Sequence, residues 1–151
     1  MSQSLSKLFI HIVYRVKTSS VKIREEEKSA LHAYIGAIIK NNNSIPIIIN
    51  GMDDHIHILC VMSKNIALAT LVREIKSGSS RWIKSVHPHY NNFAWQGGYG
   101  AFSVSASLHD RTKRYIEKQE EHHRATSFQK EYLKFLKKYN IEFDERFLWQ
   151  D

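Results

Sequence analysis

Apolar residues change period along the chain, and the changes mark its elements. Leu8, Ile10, Ile12, Tyr14 and Val16 alternate with His11 and Arg15, the period of a β-strand with one wetter side. From Glu25 to Lys40 the series Leu31, Tyr34, Ile35, Ile38, Ile39 follows the i, i+3, i+4, i+7, i+8 spacing of an amphipathic helix. Glu25, Glu26 and Glu27 stand in its first turn, where the helix dipole favours anions, and Asn41-Asn42-Asn43 ends it. Ile45 to Asn50 is a short β-branched strand. Gly51-Met52-Asp53-Asp54 is a turn, and His55 to Val61 is a second strand closing a hairpin. Helical spacing returns over Ile66 to Val86. Leu68, Leu71, Val72, Ile75, Trp82 and Ile83 lie on one side, with Arg73, Lys76, Ser77, Ser80, Arg81 and Lys84 opposite. Gly78 argues against one unbroken helix there.

A loop covers His87 to Gly98, and Tyr99 to Ser105 is a strand of small residues. Ser107-Leu108-His109-Asp110 resembles a capping box opening a helix to about His123. Thr126-Ser127-Phe128-Gln129 resembles a second box, opening a helix with Phe128, Tyr132, Phe135, Leu136 and Tyr139. The tail from Ile141 to Asp151 carries Phe143, Phe147, Leu148 and Trp149, expected to dock on the body. The resulting order is β-α-β-β-α-β followed by two helices. It predicts an α+β fold of ferredoxin-like (split βαβ) type with an antiparallel sheet, as a single domain over residues 1–151. Many functions use that fold, so it decides no chemistry.

Composition narrows the class. A chain of 151 residues with 42% hydrophobic and 25% charged residues buries a core without staples and is neither disordered nor fibrous. One cysteine, Cys60, excludes an intramolecular disulfide framework and suits a reducing compartment. No apolar run approaches the ~20 residues of a membrane span, and the N-terminal stretch lacks the features of a signal peptide. A cytoplasmic protein is expected. The net charge of +7 is uneven: residues 62–107 hold five basic side chains against one acidic. Such a patch attracts polyanions, although solubilising charge has the same appearance.

The chemistry concentrates in two places. His55 and His57 fall on one face of a strand, so two imidazoles can share a divalent cation. A His-x-His arises readily by chance in a chain with nine histidines. His87-Pro88-His89 is such a pair, in a loop that fixes neither ring, and is read as surface. Tyr115 and Gln119 are four apart and share a helix face. Tyr115 is a candidate nucleophile and Gln119 a neutral oxygen ligand, against a packing role for a helical tyrosine. His122 lies one turn further along the same stripe. Lys113, Arg114 and Lys118 flank it and suit phosphate contacts or a solvated face equally.

Three separated segments resemble one family. They are Met52-Asp-Asp-His55-Ile-His57-Ile-Leu, the stretch from Phe93 to Ser105, and Arg114-Tyr115-Ile116-Glu-Lys-Gln119-Glu-Glu-His122-His123. In order, spacing and chain length they are similar to the single-tyrosine HUH transposases of the smallest bacterial insertion sequences. Gln119-Glu120 stands where the related REP-associated tyrosine transposases carry Asn-Pro, which favours the insertion-sequence branch. The resemblance implies a bacterial or archaeal enzyme that cleaves and rejoins single-stranded DNA with hairpin ends. It implies a divalent ion, Mg²⁺ or Mn²⁺, on His55, His57 and Gln119, with Tyr115 forming a 5′-phosphotyrosine link. That link preserves the phosphodiester's energy, so rejoining needs no ATP. Asp54 orients a ligating imidazole or serves the turn. The resemblance also implies a homodimer, with the tyrosine helix completing its own site or its partner's. Arg73, Lys76, Arg81 and Lys84 would hold DNA, and Trp95 and Tyr99 would stack on bases or pack in the core. Two other classes share these features: a replication or conjugation nickase, and an inactive or domesticated nucleic-acid-binding protein.

Overall fold

A computed structural model describes residues 2–151. Four strands, β1 (Leu8–Arg15), β2 (Ile45–Gly51), β3 (His55–Met62) and β4 (Gly100–Val104), form one antiparallel sheet in the order β2-β3-β1-β4. Helix α1 (Glu25–Asn41) joins β1 to β2, and α2 (Leu68–Val86) joins β3 to β4. This is the split βαβ arrangement that the order of elements predicts. Among the described residues, no helix is long and apolar enough to cross a membrane.

The sheet separates two layers. On its upper face Ile12, Tyr14, Ile56, Ile58 and Cys60 meet Leu31, Ile35 and Ile39 of α1 and Leu71, Val72 and Ile75 of α2. Asn43, at φ 56, turns the chain out of α1, as an asparagine past a helix end does at low steric cost. Helix α2 runs unbroken through Gly78, because α1 crosses it there. A Cβ on Gly78 would come 2.8 Å from Ile38 Cδ1, so the glycine answers to helix–helix contact rather than to a break.

The lower face departs from the sequence expectation. His11 and Arg15 suggest a wetter side, yet they are 1% and 9% exposed. The chain after β4 folds back over them as α3 (His109–Glu117), α4 (Gln119–His122), α5 (Phe128–Lys138) and α6 (Glu145–Leu148). The expected single helix to His123 is thus two. At Lys118 the backbone leaves helical values, with φ −97 and ψ 24. Asn50 of β2 donates from Nδ2 to the carbonyls of Ile116 (2.9 Å) and Glu117 (3.2 Å), satisfying carbonyls at the end of α3. Neither capping box forms as read. A one-turn 3₁₀ segment, Ala106–Leu108, leads into α3, which has no side-chain cap, and Ser127 rather than Thr126 caps α5.

The tail docks through fewer contacts than its apolar residues imply. Arg15 donates from Nη2 to the Trp149 carbonyl (2.6 Å) and from Nη1 to Asp151 Oδ1 (2.9 Å). Leu148 packs against the cluster that Val13, Phe102, Phe128 and Leu136 form, while Phe143 and Phe147 are 38% and 60% exposed.

Candidate active site

Because β3 begins at His55, the strand period sends Ile56 and Ile58 into the upper core and His55 and His57 to the lower face. Both imidazoles are buried. His55 Nδ1 lies 2.7 Å from Asp54 Oδ1, a contact that sets the proton on Nδ1, and Nε2 lies 3.1 Å from Gln119 Oε1. His57 Nδ1 lies 2.8 Å from Nε2 of His11, which stands diagonally from it on the adjacent strand β1. The turn residue Asp54 therefore orients an imidazole, as one of its two readings has it.

Opposite the two rings stands Glu131 of α5, a carboxylate 2% exposed. Its Oε1 lies 2.8 Å from His57 Nε2, 3.2 Å from His123 Nε2 and 3.7 Å from His55 Nε2. Its Oε2 accepts a short hydrogen bond from the Tyr115 hydroxyl and one of 3.2 Å from Gln119 Nε2, and lies 3.3 Å from His122 Nε2. Burial alone would raise this carboxyl. The hydrogen bond and charge of His57 and the hydrogen bond of Tyr115 outweigh it and hold the group well below the usual carboxylate range. Burial, then the hydrogen bond to Glu131 and its charge, push the Tyr115 phenol well above its ordinary value. At neutral pH the pair is a neutral phenol on an anionic acceptor. Burial also lowers the affinity of His11 and His57 for a second proton.

The donor set fits a divalent cation. Donor atoms of His55, His57, His123 and Glu131 lie within 4.8 Å of one another. His122 and His123 have buried Nε2 atoms whose geometry makes no hydrogen bond, despite their nearness to Glu131. His55 Nε2 and Gln119 Oε1 stand 3.1 Å apart, so an imidazole nitrogen and a neutral oxygen face one another beside Glu131.

Tyr115 is the half-buried wall between two openings. One, a cavity of about 310 Å³, is lined by Arg111, Lys134, Lys138, His11, Phe135 and Tyr139 among others. The other is an open cleft that includes Arg114 and Lys118; Lys113 lines neither. The structure thus brings together His55, His57, Tyr115, Gln119, Arg114 and Lys118. It does not bring the α2 cations to them, because the sheet lies between. Arg73, Lys76 and Lys84 line a groove against Trp95 and Tyr99 on the upper side, and Arg81 stands exposed nearby. Lys76 is already engaged there: its Nζ donates to the carbonyls of Gln96 (2.8 Å) and Gly98 (2.7 Å), and burial brings it down to about 8. Trp95 is a core residue, edge-on to Tyr14 and donating to Ser79 Oγ, whereas Tyr99 is exposed. His87 and His89 bond within their own loop and to Lys22, away from the site.

Sequence reading misses His11, His123 and Glu131. Glu131 leaves the clearest trace, as the one acid on the stripe of Phe128, Tyr132, Phe135 and Tyr139, where an unpaired carboxylate has no place.

Residues 4–119 match the profile of a family described as IS200-like transposases. No curated protein sequence is significantly similar to the chain. Among solved structures, the fold is similar to that of a candidate transposase of Deinococcus radiodurans R1. That likeness has a TM-score of 0.61 and 22% identity, over 79% of this chain and 98% of that one. The fold is also similar to a REP-associated tyrosine transposase solved bound to a REP hairpin, with a TM-score of 0.59 and 12% identity over 82% and 74%. At these identities the two structures bear on fold alone.

Proposed function

Because the chain belongs to the IS200-like transposase family, a family of DNA-cleaving enzymes, we propose that residues 1–151 form one HUH transposase domain that cuts and rejoins single-stranded DNA at insertion-sequence ends, with Tyr115 as nucleophile. The observation that carries this reading is the convergence of Tyr115, Gln119, His55 and His57 on one buried carboxylate.

The chemistry follows from those groups. His55 and His57, with Gln119 Oε1, would hold Mg²⁺ or Mn²⁺, which when bound polarises a phosphoryl oxygen and offsets its charge. Glu131 Oε2 holds the Tyr115 hydroxyl and takes its proton as the phenolic oxygen bonds to phosphorus. The P–O3′ bond breaks, the 3′ oxygen takes up a proton, and the 5′ end stays on Tyr115. In rejoining, a 3′-hydroxyl attacks the same phosphorus and gives its proton to water, the P–O bond to Tyr115 breaks, and the tyrosine oxygen recovers its proton from Glu131. Asp54 and His11 keep the two imidazoles turned towards the site.

The substrate reading is single-stranded DNA with hairpin ends. Arg114 and Lys118 stand beside Tyr115 for the phosphates, with Lys113 on the same helix. Arg73, Lys76, Arg81 and Lys84 offer a second cationic track on α2. Excision needs two cuts, and a homodimer supplies two tyrosines.

The test is a covalent adduct. Incubation with single-stranded element ends and Mn²⁺ should shift the wild-type protein to a slower band on a denaturing gel, and Tyr115→Phe should give none. A full yield from Tyr115→Phe would reject the nucleophile. DNA processing that survives replacement of both His55 and His57 by alanine would favour a non-enzymatic binding module with a contaminating nuclease.

A further inference from the structure

We propose that the chain beyond the family-matched residues supplies two further metal ligands, His123 Nε2 and Glu131 Oε1, which join His55, His57 and Gln119 Oε1 in a centre with three histidines, selective for transition metals over Mg²⁺. The inference rests on reading the cluster as a metal centre and deepens that reading. The family match ends at residue 119, whereas His123 follows α4 and Glu131 lies in α5.

Three observations carry the assignment. First, the three Nε2 atoms of His55, His57 and His123 surround one oxygen, Glu131 Oε1, at 3.7, 2.8 and 3.2 Å. Ligands about 2.0–2.2 Å from one ion stand roughly 3–4 Å apart, so this spacing is close to that of a coordination shell. Second, the His123 side chain is 6% exposed and its Nε2 has no hydrogen-bond partner. A buried imidazole nitrogen without a partner is costly, and this one points into the cluster. Third, each histidine of the strand pair has its other nitrogen engaged, His55 by Asp54 and His57 by His11. That arrangement fixes both rings with Nε2 turned inward, as metal-bound histidines are held, and an ion would take the place of the proton that His57 Nε2 gives to Glu131.

The donor chemistry selects the ion. Three imidazoles and one carboxylate suit Mn²⁺, Co²⁺ or Zn²⁺, while Mg²⁺ favours oxygen ligands and retains its waters. Gln119 faces the centre with Oε1 beside His55 and donates from Nε2 to Glu131 Oε2. The carboxylate divides its work: Oε1 faces the imidazoles, and Oε2 holds the Tyr115 hydroxyl. Ligation through His123 and Glu131 would also tie α4 and α5 to β3, making the C-terminal segment part of the centre rather than an appendage.

The test uses the full-length protein, metal salts and no DNA, so it is independent of whether Tyr115 cleaves anything. Calorimetric titration should show wild type binding Mn²⁺ and Zn²⁺ more tightly than Mg²⁺. His123→Ala and Glu131→Gln should each weaken Mn²⁺ binding by roughly tenfold or more. Pulsed EPR of the Mn²⁺-loaded wild-type protein should count three coordinated imidazoles. That count stands even if Glu131→Gln fails to fold, a point circular dichroism settles. Two imidazoles, or wild-type Mn²⁺ affinity in both folded variants, would overturn the proposal. Loss of the covalent adduct in Tyr115→Phe bears only on the proposed function.

Discussion

At Gly100 the missing side chain lets the Tyr132 ring lie against β4: a Cβ there would come 2.8 Å from Tyr132 Cε1 and 2.9 Å from its hydroxyl. Tyr132 follows Glu131 on α5, so this close approach sets how deep the carboxylate reaches. Gly100→Ala should force the ring outward and destabilise the protein by about 1–3 kcal/mol, the usual cost of overpacking, read as a lower melting temperature. Glu131 shows why one residue matters at this scale. An ionised carboxylate 2% exposed is tolerable only where partners repay its lost hydration. Here they do so on both oxygens, with imidazoles on one and a phenol and an amide on the other. That His55 and His57 share a face was legible from strand period. The partner that joins them was not, because Glu131 is 74 residues from His57 and no spacing rule spans that distance.

Among the elements, α5 and α2 contrast. Helix α5 turns Phe128, Glu131 and Leu136 inward, so its apolar stripe and its one buried acid share a face. Helix α2 buries Leu71, Val72, Ile75 and Ile83 and leaves Arg73, Arg81 and Lys84 exposed. Both helices were readable from their 3.6-residue period. The break between α3 and α4 was not, since its cause is Asn50 on a distant strand. If α2 binds DNA phosphates, alanine at Arg73, Arg81 and Lys84 together should lower affinity for single-stranded DNA and flatten the log Kd against log salt line by about 2, at ~0.7 per phosphate contact. Lys76 stays out of the set because its ammonium already serves two backbone carbonyls. An unchanged slope would assign α2 a solubilising role.

Over the whole molecule, the sheet is a partition with a hydrocarbon core above and a polar centre below. The centre assembles from β1, β3 and the C-terminal helices of one chain: Tyr115 meets Glu131 and Gln119 beside that chain's own His55 and His57. If a homodimer keeps this arrangement, His57→Ala and Tyr115→Phe subunits, each inactive alone, should restore no cleavage when mixed and allowed to exchange. Recovered adduct on the His57→Ala chain would mean that its tyrosine helix crosses to the partner. Held by the charge of residues 62–107, DNA would reach the proposed Tyr115 nucleophile directly only if that charge lay beside it. The fold instead puts it across the sheet, because α2 packs on the face opposite the histidines.

What the sequence determined by itself was local and periodic. Alternation defined β1 and β3, the 3.6-residue repeat defined α1, α2 and α5, and motif order pointed to His55, His57, Tyr115 and Gln119. Backbone geometry dictates which side of an element a residue takes, so these features needed no knowledge of neighbours. Tertiary structure decided what covers each side. The face of β1 that reads as wet is dry because α3 to α5 close over it. His11, His123 and Glu131 became parts of a site because the antiparallel register and the return of the C-terminal helices bring them within hydrogen-bond or ligand distance. Those contacts depend on how far each element travels before it packs, which no single segment encodes.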